Sequence, residues 1–364
     1  MNKYPDYISS KRIPVPTPES IVEDGKVYFG TFDAPFKNLN LLDAEKPCGA
    51  KMPDFMKASR LVEWEAFEVA MDEGVLISAA YKTGTMAFSI FVWYNLEDKK
   101  IYAWRNLVPK KKGKVAANLV NDYCYIKTSK SEYRIDNDFE NGKASAKGFT
   151  RGKAGEFAID MAFERISPLA NGVMPLAKNK DGSLRNALYS EKDFFKATGT
   201  ITLNGKVFKS NERSVGIIDD HKGFYPYKAH YDWLTAMGTL EEDGKLRYFA
   251  FNLTRNQSVD QDRYNENVIW IDDESFPMPP VVFTHKDGKK KAEEWHVTDE
   301  KGLGLVDVTF KLDKTFYMPI HAVVAEAYYA LPFGTLTGYI TDTNGKRYSV
   351  DGMIGIGEDK TTRM

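Results

Sequence analysis

Nine Asn-Gly or Asp-Gly dipeptides punctuate this chain, at 24–25, 141–142, 171–172, 181–182, 204–205, 243–244, 287–288, 344–345 and 351–352. Such pairs accept the positive φ that a two-residue hairpin turn demands, and several of them separate segments of alternating polarity. The pattern predicts an antiparallel meander. Between Glu63 and Val108 the breaks at Asp72-Glu73-Gly74, Lys82-Thr83-Gly84 and Leu96-Glu97-Asp98 leave four segments of strand length, rich in β-branched and aromatic residues. With 22 Phe, 20 Tyr and 6 Trp, such sheets need closure or a partner sheet to hide their faces and edges. The expected fold is all-β: two antiparallel β-barrel lobes packed together, with few short helices.

At 364 residues the chain exceeds one ordinary core. The expected division is 1–190, entered through a lead-in carrying Pro14, Pro16, Pro18, Pro35, Pro47 and Pro53, and 191–364. Two phrases repeat, Gly199 to Phe208 (GTITLNGKVF) and Gly338 to Tyr348 (GYITDTNGKRY), which hints at duplicated barrel elements. Short helices are expected within 109–122 and over Ser190 to Lys196, where Ser190 and Asp193 have capping-box spacing.

Lys plus Arg (50) nearly cancels Asp plus Glu (51), so neither nucleic acid nor an anionic bilayer is an expected partner. No apolar run approaches a membrane span and no h-region follows the first charges, which reads as a cytoplasmic protein. Cys48 and Cys124 stand far apart without a CxxC, giving neither a cysteine zinc site nor a disulfide framework. His221, His230, His285, His296 and His321 show no HxxxH or HxH spacing, so no metal is expected. The absence of GxGxxG in context, a Walker loop or a GxSxG elbow removes the nucleotide-binding and α/β-hydrolase readings, and no cofactor is expected.

The densest chemistry lies in 216–238, GIIDDHKGFYPYKAHYDWLTAMG. Period-two alternation puts Tyr227, Ala229, Tyr231, Trp233, Thr235 and Met237 on one face and Lys228, His230, Asp232 and Leu234 on the other. The aromatic face suits either a lumen wall for an apolar ligand or a buried lobe interface. Asp219, Asp220 and His221 read as one turn. There, adjacent carboxylates and burial would keep one aspartate protonated as a general acid, or an aspartate would cap backbone amides. Asn252, Thr254 and Asn256 face either a pocket or water.

Four phrases in order, GTFDAPFKNLNLLD (30–43), the 216–238 stretch, Glu266-Asn267-Val268-Ile269-Trp270 and the closing FGTLTGYITDTNGKRYSVDGMIGIGEDKTTRM, resemble the DUF2804 family over nearly the whole chain. That family is similar to the paired lipocalin-like proteins that include carotenoid hydratases, AttH-like proteins and tocopherol cyclase. The resemblance implies two lipocalin-like (calycin) lobes. In the hydratases a carboxylate near this motif is thought to protonate a double bond, which implies Asp219 and Asp220 here, followed by Tyr231, Asp232 and Trp233. Where many relatives carry Trp-x-Trp this chain has Tyr231 and Trp233, and it ends in Met364 where Trp is common.

The resulting expectation is a protein that takes up a hydrophobic or amphipathic small molecule, isoprenoid or lipid-like. As an enzyme it would perform cofactor-independent, acid-initiated hydration, isomerisation or cyclisation. Asp220 would be the acid, Asp219 would raise its pKa, and His221 or His230 would orient it. Tyr225, Tyr231, Asp232, Trp233, Asn252, Asn267 and Trp270 are the expected ligand-binding residues. The rivals are a non-catalytic carrier and a carbohydrate-active enzyme with paired carboxylates.

Overall fold

The structure, a computed structural model, describes residues 11–363 except 169, 289–290, 319 and 323–324. The first ten residues of the lead-in and Met364 therefore lie outside the described residues. Two compact units emerge: Val15–Tyr225, and Pro226–Met364 together with the segment that ends at Pro14. Position 190, the expected boundary, falls inside a 20-residue strand, and the chain leaves the first unit only after Tyr225.

Eight of the nine dipeptides connect consecutive strands, four of them (Asp24-Gly25, Asn204-Gly205, Asp243-Gly244, Asp287-Gly288) with positive φ at both residues. The ninth, Asn171-Gly172, lies within the strand Ala170–Lys178. The four strands expected between 63 and 108 are β1 (Val62–Met71), β2 (Gly74–Thr83), β3 (Met86–Asn95) and β4 (Lys100–Pro109). They are followed by β5 (Tyr123–Lys127), β6 (Ser131–Asp138), β7 (Lys143–Gly152), β8 (Gly155–Arg165), β9 (Leu184–Leu203) and β10 (Val215–Gly223).

Their antiparallel order is β4-β3-β2-β1-β10-β9-β8-β7-β6-β5. The sheet curls until Asn106 on β4 donates from Nδ2 to Thr150 Oγ1 on β7 (3.2 Å), forming a barrel. Along β6 the alternation is complete: Ser131, Tyr133, Ile135 and Asn137 are buried and their neighbours are not. Phe67, Phe91, Trp93, Trp104, Tyr133, Phe157 and Phe195 are among the side chains that fill this barrel.

The second unit repeats the plan with β11 (Lys228–Glu242), β12 (Lys245–Arg255), β13 (Val268–Ile271), β14 (Glu274–Pro277), β15 (Val281–His285), β16 (Glu294–Asp299), β17 (Val306–Tyr317), β18 (Ala325–Thr341) and β19 (Ile354–Arg363). The order β14-β13-β12-β11-β19-β18-β17-β16-β15 again curls on itself, around Leu234, Phe249, Phe251, Trp295, Phe310 and Leu336. Arg12 is tied into this second unit: its Nη1 donates to the carbonyls of Asn267 (2.8 Å) and Met278 (2.9 Å). Burial lowers its guanidinium to about 10.

Helix is scarce among the described residues. Asp54–Arg60 is α-helical, and of the expected helix within 109–122 the structure has the 3-10 turn Lys110–Lys112. Ser190 to Lys196 is strand, in the middle of β9, where ten successive residues from Asn186 to Phe195 are buried on both faces. Burial on both faces erases the period-two signal, and capping-box spacing alone then misleads. No helix among the described residues is long and apolar enough to cross a membrane.

Candidate functional site

Asp219, Asp220 and His221 belong to β10, not to a turn. Because Ile218 packs in the barrel core, strand alternation turns Asp220 and Lys222 inward with it and sends Asp219 and His221 to the opposite face. The two adjacent aspartates therefore occupy separate environments. Directly opposite Asp220 stand Glu65 on β1 and Glu191 on β9. Both share parity with inward residues, Phe67 and Phe195 respectively. Glu191, Asp220 and Glu65 thus form a row of three carboxyls across three neighbouring strands, each 0% exposed. Cross-strand partners stand about 5 Å apart at Cβ, so the three titrate as one system.

Glu65 reaches across the interior, accepting hydrogen bonds from Asn137 Nδ2 (2.9 and 3.0 Å) and Cys124 Sγ (3.1 Å). Burial, with Asp220 adding repulsion, nonetheless pushes its carboxyl up to about 8. Burial also raises Asp220, to about 6, against the pull of Lys222 and His221; Asp219 adds a smaller push. Glu191 is held well above the usual carboxylate range by burial and then by Asp193, while accepting the Tyr189 hydroxyl. Asp193 is raised by burial and anchored by Arg165, whose Nε and Nη2 donate to Oδ2 at 3.1 and 2.6 Å.

Lys222 Nζ stands 3.9 Å from Asp220 and 3.7 Å from Glu63. Burial opposes its ammonium, but Asp220 and Glu63 together hold it charged. Asp220, beside Lys222, thus lies between two carboxyls that burial raises, Glu65 to about 8 and Glu191 well above the usual range.

On the outer face Asp219 Oδ1 accepts from Lys192 Nζ (2.6 Å) and lies 3.2 Å from His221 Nε2. The His221 ring packs on Trp64 (4.5 Å), which stacks on Tyr81 (5.4 Å), which stacks on Phe88 (4.7 Å). Tyr225 Oη lies 3.5 Å from His221 Nδ1. The expected roles shift accordingly. Asp219 is occupied by Lys192, and the main cause of the raised Asp220 is burial.

The remaining expected residues lie in the second unit. Leu234 and Ala236 pack in its core, so the inward face of β11 is the one with His230 and Asp232. Tyr231 and Trp233 point the other way and do not line that barrel. Tyr231 Oη donates to Glu358 Oε2 (2.8 Å), and Trp233 Nε1 donates to Asn252 Oδ1 (2.6 Å). Asn252 Nδ2 donates to the Glu266 carbonyl (2.9 Å). Asn267 accepts from the Thr254 amide (2.7 Å) and donates to the Pro279 carbonyl (2.8 Å). These two amides bind backbone and indole groups of the protein itself. Trp270 is fully buried, between the core residues Ile269 and Ile271 in sequence and facing away from them.

His230 Nε2 is 3.3 Å and His285 Nε2 is 3.0 Å from opposite oxygens of Asp232. Burial works against the Asp232 carboxylate, yet the two histidines hold it below the usual range, and the Asp232 bond raises His230. Sequence reasoning missed Glu65, Glu191, Lys222, Cys124 and Asn137. A signal for Glu65 was present: it shares strand parity with Phe67, Val69 and Met71.

No curated protein matches this sequence significantly. Among solved structures, CghA with Sch210972 aligns at a TM-score of 0.53 with 10% identity, over 94% of this chain and 97% of that one. CghA alone aligns at 0.53 with 10% identity, covering 94% and 96%. A protein of Nitrosomonas europaea assigned as an AttH (NE1406) aligns at 0.42 with 10% identity, covering 83% and 92%. The fold of CghA is thus shared along nearly the whole chain. A family model described as "Domain of unknown function (DUF2804)" matches residues 14–364, and the chain belongs to the DUF2804 family.

Proposed function

We propose that the protein binds a hydrophobic or amphipathic small molecule at the carboxyl-lined end of the Val15–Tyr225 barrel and acts on it by proton transfer. The carrying observation is the buried row Glu191, Asp220 and Glu65. A carboxyl held at about 8 keeps its proton at neutral pH, and one at about 6 beside it is ionised. Such a pair supplies an acid and a base without a redox cofactor, as isomerisation or hydration of a double bond requires. Glu65 donates the proton and Asp220, steadied by Lys222, receives one. In this reading Asp220 is the base and not the acid expected from its sequence context.

Phe67, Phe91, Trp93, Trp104, Tyr133 and Phe157 fill the adjoining interior, which favours a substrate at the acidic end over storage of a large ligand in the lumen. Carboxyls side by side on neighbouring strands also suit one shared proton site better than the flanking pair of glycoside hydrolysis. That CghA was solved with the small molecule Sch210972 supports a ligand-binding use of the fold.

The test is a carboxyl titration by carbon-13 NMR on the full chain, with Glu65→Gln and Asp220→Asn to assign the signals. Titrations near 8 and 6 support proton transfer. Ordinary values near 4 overturn it and leave the carrier reading. Native mass spectrometry of gently purified protein, followed by extraction, identifies the ligand class.

A further inference from the structure

We propose that His230, Asp232 and Asp359 form a site for a divalent first-row transition metal, such as zinc, at one end of the second barrel. Sequence spacing hides the site, because Asp359 is more than a hundred residues from the other two. Strand pairing brings them together. On adjacent β11 and β19, Asp232 stands directly opposite Asp359, and His230 opposite Thr361. One donor atom from each of His230, Asp232 and Asp359 lies within 4.8 Å of the others. His230 Nε2 to Asp232 Oδ2 is 3.3 Å. Ligands about 2.0–2.2 Å from a tetrahedral zinc are separated from one another by about 3.4 Å. His230 Nε2 and Asp232 Oδ2 already stand at about that spacing.

The surroundings have the form that metal ligands require. Thr361 Oγ1 lies 3.0 Å from His230 Nδ1, which fixes the ring with Nε2 available as the ligand atom. His285 Nε2 lies 3.0 Å from Asp232 Oδ1, leaving Oδ2 for a metal. The His285 ring is itself fixed by stacking on Trp295 at 4.6 Å and 4°. Asp232 and Asp359 are both buried, so their carboxyls present oxygens in surroundings largely shielded from water. Arg255, the other strand partner of Asp232, is turned to Glu300, with Nη1 and Nη2 donating at 2.8 and 3.1 Å. One histidine and two carboxylates are three ligands, and the His230 side chain, 49% exposed, leaves a side open for a fourth from water or a substrate.

Isothermal titration of the chelator-stripped full chain with Zn²⁺ tests this. The expected result is one-to-one binding that His230→Ala and Asp359→Asn each weaken about a hundredfold or more. His285→Gln weakens it about tenfold, as for a second-shell partner. His296→Ala, which removes a surface histidine 2.8 Å from Asp307, leaves binding unchanged. Glu65→Gln in the other barrel also leaves it unchanged, which separates this site from the proposed proton-transfer row. His230 is half-exposed, so His230→Ala keeps the fold even where a change at buried Asp359 does not. Co²⁺ in place of Zn²⁺ should give the visible absorption of a four-coordinate ion, lost in His230→Ala. No one-to-one binding in the unaltered chain, or binding indifferent to His230→Ala, overturns the proposal; Asp232 is then a carboxylate hydrogen-bonded by two histidines and nothing more.

Discussion

The two barrels use one structural solution at corresponding points and carry different chemistry inside it. Near the end of its longest strand each has a glycine with positive φ, Gly199 (146°) in β9 and Gly338 (113°) in β18. At each, an added Cβ would stand 2.0 Å from the carbonyl oxygen of an aspartate on the neighbouring strand, Asp160 in one and Asp307 in the other. Each glycine carbonyl accepts the amide of a residue beyond the following hairpin at 3.0 Å, Ser210 or Val350. Each glycine amide donates at 2.8 Å to a side chain there, Ser210 Oγ or Asp351 Oδ1. The repeated phrases in the sequence are thus the same local device, and this supports duplication of the barrel. What differs is the inward-facing polar set: three buried carboxyls with a lysine in the first barrel, and histidines with carboxylates in the second. The frame is repeated and the sites are written separately upon it.

The sharpest way to break that parallel is to fill both glycines. Gly199→Val and Gly338→Val should each destabilise their barrel by about 3 kcal/mol or more, through backbone strain and overpacking, as read by urea denaturation. Tolerance at one position would end the equivalence.

Next in size is Lys222→Met, which leaves Asp220 buried without its cation. It should cost about 3 kcal/mol at high pH and progressively less as pH falls toward 6, because without the pull of Lys222 Asp220 takes up its proton at a higher pH than in the unaltered chain.

The third contrast is in pH dependence, read by hydrogen exchange resolved to each unit. Glu65 and Asp220 have folded pKa values of about 8 and 6, above their ordinary ones. The folded state therefore holds more protons, and the first barrel should lose stability as pH rises from about 4 to 8. Glu65→Gln should flatten much of that slope. In the second barrel the Asp232 carboxylate is depressed, so its contribution is present above the ordinary aspartate range and is lost as pH falls below it. His230 is raised, so its contribution is present below its ordinary pKa and fades as pH rises through the raised value. Parallel slopes in the two units would contradict both assignments.

The smallest effect is at the turns. Asp243→Ala should cost about 1 kcal/mol for its left-handed conformation. Asn204→Ala should cost more, because Asn204 Oδ1 also accepts the Glu156 amide at 2.8 Å.

Much of the frame was legible because turn chemistry is local. Asp or Asn before Gly marks a hairpin without knowledge of what the strands pack against, and the four strands from Val62 to Pro109 followed from the breaks at 72–74, 82–84 and 96–98 and from their β-branched and aromatic content. Asn171-Gly172 shows the limit, since the same letters sit inside a strand when its neighbours hold them there. β9 was misread for the opposite reason. Glu191, Lys192 and Asp193 look solvated, yet tertiary pairing buries them on both faces. The candidate site was half legible. Asp220 stood out beside Asp219, but its true neighbours, Glu65 and Glu191, come from distant sequence and meet it only through register. Strand parity also reassigned Tyr231 and Trp233, since a one-residue choice of face decides which set lines the interior.

The tie between Arg12 and the carbonyls of Asn267 and Met278 sets an order of events during synthesis. The first barrel closes on residues complete by Tyr225, while Arg12 must wait for partners translated later. At roughly 5–20 residues per second the stretch from Tyr225 to Met278 takes about 3–10 s, during which a finished barrel carries Arg12 unplaced. A deletion or bulky fusion ahead of Val15 should therefore spare the part of the protein made first and harm the part made last.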